Sequence, residues 1–189
     1  MFKIVRTKIA KRMGRWSVTR QVRRLLRQEN GAAAVEFSFV ALPFLALVFA
    51  IMETAIVFFA GQTLEAAVAD SARLIMTGQA QTQSLTQSTF KTQVCSKIYG
   101  LFDCAGGVYV DVQTYTSFAS VNVTSPVTSG TLQTSGFGYN PGGPGDIVVV
   151  RLYYQWPVYV SLLGLSLNDL SGNKRLLVAT AAFRNEPYQ

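Results

Sequence analysis

Histidine is absent from this 189-residue chain, which removes the commonest general base and the commonest metal ligand together. Cysteine is nearly absent, with Cys95 and Cys104 the only two. Two thiols without histidine cannot complete a four-ligand zinc site, and their spacing lacks the C-x-x-C of a redox motif. Charge is scarce as well: Asp, Glu, Lys and Arg make up 14% of residues, against about 25% in ordinary soluble chains. Catalysis requires a nucleophile or an acid–base constellation, and no carboxylate pair stands in a recognisable setting. An enzyme is therefore not expected, nor is a metal or an organic cofactor.

The charges that do occur are segregated. Residues 1–31 hold ten Lys/Arg and a single acid, Glu29, whereas residues 32–189 hold seven Lys/Arg and nine acids. Basic runs can neutralise nucleic-acid phosphates, and an Arg-rich, acid-poor head also suits an organelle transit peptide. A third reading accounts for position, because the charges stop just before a long apolar run. Lys/Arg placed there hold the head on the cytoplasmic side and contact anionic lipid. That reading covers both halves of the pattern, so anionic lipid is the expected partner of the head and nucleic acid is not.

The apolar run, Phe37 to Ala60, is 24 residues, or about 36 Å as a helix. This exceeds the roughly 30 Å hydrocarbon core, so the segment can span with some tilt. It is longer than a secretory h-region, and the positive-inside rule places residues from about 61 onward outside the cytoplasm. Pro43 removes one helical hydrogen bond and is expected to kink or loosen the helix. Glu53 falls near the far interface and is expected to reach polar headgroups. Glu36 falls at the near edge, where the bland expectation is a side chain that snorkels to the interface.

Beyond the run, Leu64, Val68, Ala72 and Ile75 recur at helical spacing, which predicts that the helix continues into water until Gly78 stops it. Residues 79–88 read as a Gln/Ser/Thr-rich connector, and Thr89–Tyr99 as a short helix with Phe90, Val94 and Ile98 on one face. Outside the membrane Cys95 and Cys104 are expected to pair. Val108–Tyr115 alternates as a strand with Val108, Val110 and Val112 inward, and Phe118–Val123 is its candidate partner. Residues 125–145 are rich in Ser, Thr, Gly and Pro and read as a long mobile loop, the first place to look for an adhesive surface. Asp146–Trp156, ended by Pro157, is the strongest strand signal. Residues 158–170 are apolar and ambiguous, and Leu176–Phe183 closes the sheet. Helices followed by strands predict an α+β fold, a small antiparallel sheet packed on a helical stalk.

Gly31-Ala-Ala-Ala-Val-Glu36-Phe37 ahead of an apolar helix resembles the processing motif of type IV pilin-like proteins. The wider set of I-M-E-T-A, A-A-V-A-D-S-A-R-L-I-M-T-G-Q, V-C-S-K-I-Y-G-L-F-D-C, P-G-D-I-V-V-V-R-L-Y-Y-Q-W-P and A-T-A-A-F-R-N-E-P is similar to the TadE-like family, over about residues 25–187. The resemblance implies a pseudopilin or minor pilin of the bacterial Tad system, which builds Flp-type pili for surface adherence. It implies a basic cytoplasmic leader (1–31), a transmembrane helix (32–60) and an extracytoplasmic domain (61–189) in the bacterial inner membrane, with possible incorporation into the pilus. A prepilin peptidase would cut between Gly31 and Ala32. Glu36 and Phe37 would be the assembly residues, and other pilins, minor pilins and inner-membrane platform proteins the partners. The head is long for such a leader, and Met13 is an alternative start.

Cleavage would convert the Ala32 nitrogen from an amide into an ammonium with a reference pKa of about 7.7–8.0, able to pair with a carboxylate. Glu36 is four residues on, so pairing within one helix is available; the resemblance implies pairing with a neighbouring subunit instead. A single-pass sensor or adaptor with a periplasmic binding domain is the competing expectation. It predicts an intact head.

Overall fold

The computed structural model describes residues 29–98, 100, 103–159 and 167–188, and the chain divides into two compact units, residues 1–47 and 48–189. Helix α1 runs from Glu29 to Met76 and passes through Pro43 as continuous helix. Its stretch from Gly31 to Met76 is long and apolar enough to cross a membrane. Short helices α2 (Gln79–Thr82), α3 (Gln87–Cys95) and α4 (Cys104–Gly107) follow. Strand β1 (Val108–Tyr115), a 3-10 turn (Phe118–Ser120), the small hairpin β2 (Val127–Thr128) and β3 (Thr131–Leu132), and strands β4 (Ile147–Pro157) and β5 (Lys174–Arg184) complete the chain.

The α+β architecture matches the expectation: a long apolar helix followed by antiparallel sheet. The main sheet has the order β1-β4-β5, with both pairings antiparallel. Register sets the faces. Val108, Val110 and Val112 of β1 lie opposite Tyr154, Leu152 and Val150 of β4, and all of them are buried. They form one core with Val57, Leu64, Val68 and Ile75 of α1 and with Phe90 and Val94 of α3. Burying residues such as Leu64 and Ile75, both 0% exposed, stabilises the domain by about 1.5–3 kcal/mol each before entropy is charged.

Helix α1 stops where predicted. Gly78 adopts φ +79, a left-handed conformation that glycine reaches without steric cost. A Cβ there would stand 2.3 Å from the Tyr188 ring, so the C-terminal tail also depends on this glycine. The Glu186 amide donates to the Met76 carbonyl at 2.9 Å, tying the same tail to the helix end.

Four expectations need correction. Residues 79–88 are more than a connector: α2 occupies Gln79–Thr82 and α3 begins at Gln87, where Thr86 supplies a reciprocal capping box with Thr89. Helix α3 therefore starts earlier than Thr89 and ends at Cys95, while Ile98 beyond it is still buried. Phe118–Val123 is not the partner of β1. The Ser117 hydroxyl accepts the Ser120 amide and folds the segment into the 3-10 turn, leaving β4 to pair with β1. Residues 125–145 are pinned rather than free. Val112 donates to Gly138 and accepts from Asn140, which lays that segment along the outer edge of β1. Tyr99 and residues 160–166, within the predicted short helix and the ambiguous apolar stretch, lie outside the described residues.

Candidate functional site

The Gly31–Ala32 bond lies in the first turn of α1. Amides in a first turn have no intrahelical acceptor, so opening the backbone at this bond costs fewer hydrogen bonds than anywhere deeper in the helix. Glu36 follows one turn later and is exposed, and Phe37 is 73% exposed. From Val35 to Phe59 fourteen large apolar side chains are exposed, distributed around the helix. A helix that is apolar all round is built to be surrounded by lipid or by other helices. Its hydroxyls are satisfied locally: Ser38 donates to the Ala34 carbonyl at 2.7 Å and Thr54 to the Ala50 carbonyl at 2.8 Å.

Glu53 departs from the expectation that it reaches headgroups. Its residue is only 8% exposed, and its Oε1 accepts the backbone amide of Tyr159 at 2.5 Å. That amide lies two residues beyond the end of β4. A carboxylate on an apolar helix is costly to bury unless hydrogen-bonded, and here the donor comes from the sheet-bearing domain that follows α1, its head domain. Sequence reasoning missed this because helical periodicity places Glu53 on α1 but says nothing of a chain segment 106 positions away. The available signal was indirect: an acid seven residues inside a membrane-length run needs a partner.

Across the sheet from the core, Asp111 is 4% exposed and gathers three donors. Gln113 Nε2 donates at 2.8 Å, the Gly138 amide at 3.0 Å and Arg151 at 3.5 Å. Arg151 also donates to the Asn122 carbonyl. Together they fasten residues 122–138 over the outer sheet face. The Phe137 ring stacks on Tyr153 there, with centroids 4.8 Å apart. A 400 Å³ cleft remains beside them, floored by Asp111, Arg151 and Tyr153 and walled by Asn122, Pro126 and Phe137. Burial pushes the Tyr153 phenol above its usual range, opposed by the Arg151 charge. Burial alone pushes Tyr139 up to about 12.

Cys95 and Cys104 are joined, with Cα atoms 5.6 Å apart. The bridge fastens the C-terminal end of α3 to the start of α4, with Lys91 of α3 also donating to the Ala105 carbonyl at 2.8 Å. Gly31, Ala32, Glu36 and Phe37 fall in the first compact unit and the disulfide in the second. Among the described residues no group of three or more His, Cys, Asp or Glu is placed to hold a metal.

Residues 31–73 match the model of the TadE-like protein family. The match begins at the predicted scissile glycine and ends three residues before α1 does, in agreement with the resemblance carried by the sequence motifs. No curated protein and no solved structure matches the chain.

Proposed function

Starting from the TadE-like match over residues 31–73, we propose that this chain is a pseudopilin or minor pilin of a Tad-type apparatus, contributing to assembly of Flp-type pili and to surface adherence. In this reading residues 1–31 are a cytoplasmic leader, α1 spans the inner membrane and the sheet domain lies in the periplasm. The basic head contacts anionic lipid until a prepilin peptidase cuts after Gly31. The observation that carries the reading is the continuity of three features in one helix. A glycine–alanine bond lies in its first turn, an acid stands four residues on, and apolar side chains are exposed around its surface to Phe59.

Cleavage changes the electrostatics of Glu36. Before it, Ala32 contributes an uncharged amide and Glu36 lies beyond the first turn. Afterwards Ala32 is the helix N-terminus, carrying an ammonium and the positive end of the helix dipole. Glu36 is then the fifth residue of the helix, one turn from its own ammonium, or beside the ammonium of a neighbouring pilin. A carboxylate and an ammonium that must meet in an apolar surround favour one register strongly, since an unpaired charge there is expensive. Phe37, exposed beside Glu36, supplies apolar contact to the same neighbour. Other pilins, minor pilins and the inner-membrane platform are the partners this chemistry fits.

The deciding measurement is the N-terminal sequence and intact mass of the membrane-extracted protein. A mature chain beginning at Ala32 supports processing. A chain retaining residues 1–31 overturns it and favours the single-pass sensor. Glu36→Val should leave processing intact while abolishing incorporation into the pilus apparatus, and normal incorporation would remove the register role of Glu36.

A further inference from the structure

The apolar run ends at Ala60, yet the head domain is attached to α1 below that point. Glu53 lies seven residues earlier in the helix, about 10 Å along its axis. Its buried carboxylate holds the amide of Tyr159, so the chain just past β4 sits level with a residue inside the run. The same end of the sheet carries the start of β5, where Pro157 pairs with Lys174 and Trp156 with Arg175.

Three aromatic rings are bare between this level and the end of the run. Tyr159 is 81% exposed, and Phe58 and Phe59 of α1 are 69% and 62% exposed. Two cations accompany them. Lys174 makes one long contact, 3.4 Å, to the neutral Gln155 side chain, and neither Lys174 nor Arg175 has an acidic partner among the described residues. Water would leave the aromatic area unsatisfied. A membrane–water interface accommodates all of it: aromatic rings seat between the acyl boundary and the headgroups, and Lys/Arg pair with lipid phosphates.

We propose that the β4–β5 end of the sheet is a lipid-contact surface, with Tyr159 seated at the headgroup boundary of the extracytoplasmic leaflet and Lys174 and Arg175 on phospholipid phosphates. The occupant is the lipid surface because the patch is continuous with the membrane-length stretch of α1. The head domain is thereby docked on the bilayer at its sheet end as well as held by α1. This rests on α1 being a span, and the experiment separates the two.

The full chain is reconstituted in nanodiscs of anionic or zwitterionic phospholipid. Because Cys95 and Cys104 are bridged, single cysteines at Tyr159→Cys, Leu47→Cys or Thr128→Cys accept one fluorophore each. Spin-labelled lipid should quench the label at 159 about threefold more than at 128, and aqueous iodide should quench it correspondingly less, as interfacial seating requires. Adding Lys174→Glu and Arg175→Glu should weaken lipid quenching at 159 in anionic discs; no change would remove the phosphate contact. Equal iodide quenching at 159 and 128, with 47 still reached by lipid, would overturn the docking while leaving the span. Loss of lipid quenching at 47 would overturn the span and the docking with it.

Discussion

Glu53 and Tyr159 are joined by a hydrogen bond of 2.5 Å from the Tyr159 amide to the Glu53 carboxylate, linking α1 to the chain segment that leaves β4. The two positions are 106 residues apart, so the bond closes most of the head domain onto its own helix. Glu53→Ala should lower the unfolding free energy by about 1–3 kcal/mol, the range for losing a hydrogen bond to a charged group. Glu53→Gln keeps an acceptor and should lose less. Chemical denaturation in detergent, followed by circular dichroism, orders the three proteins; a Gln variant as weak as the Ala variant would mean that the charge, not the acceptor, matters.

Gly78→Ala should destabilise the domain by more than about 1 kcal/mol, because alanine is strained at positive φ and its Cβ meets the Tyr188 ring. Combining it with Tyr188→Ala should relieve the clash but not the backbone strain. The double variant is therefore expected to fall short of Tyr188→Ala alone in thermal midpoint.

Reducing the disulfide, or replacing Cys95 and Cys104 by serine, should cost about 2–4 kcal/mol in the chain-entropy account. Thermal scans with and without reductant provide the check. The serine variant should show no further response to reductant.

Tyr139 carries a hydroxyl that is buried without a hydrogen-bond partner among the described residues. Tyr139→Phe should leave stability unchanged or raise it by up to about 1 kcal/mol, since an unsatisfied polar atom is removed without altering the ring. Its phenol is held up to about 12 from 10.0 by burial. The sign follows from linkage: the unfolded phenol ionises from pH 10 and the folded one does not. Tyr139 therefore contributes full stability below pH 10 and loses it as pH rises toward 12. The Phe variant should show a shallower loss of stability across that alkaline window.

Asp111→Ala leaves Arg151 and the Gly138 amide without their carboxylate. Breaking a buried pair in this way costs about 3–5 kcal/mol. The excursion from 122 to 138 should become accessible to proteolysis before the rest of the sheet, which limited digestion and mass spectrometry would show.

The elements with one strong local signal were legible in the sequence. Alternating valines fixed β1, the β-branched run Ile147–Val150 marked β4, and Gly78 marked the end of α1, because pleat and helix period are written residue by residue. What was illegible depended on distant partners. Residues 125–145 have loop composition, and nothing local reveals that Asp111, Val112 and Gln81 would bind their backbone. The Phe118–Val123 stretch has strand-like composition, but Ser117 and Ser120 turn it aside. The motif on which the processing proposal rests is contiguous, a glycine, an alanine and an acid within six positions, so it can be read locally. Glu53 was visible only as an anomaly until its acceptor role was in place.

The strand order has a consequence for the sequence of folding. Strand β4 lies between β1 and β5, and the tail beyond β5 fastens back to Met76. The sheet gains its third strand only when Lys174–Arg184 is available to pair with β4, so β1 and β4 can pair before the sheet is complete. Until then β4 presents an unpaired edge, the kind of surface that invites mispairing. A sheet of this topology therefore stays open on one side of β4 until β5 is delivered to it, and the Glu186–Met76 hydrogen bond then latches the closed sheet to the end of α1.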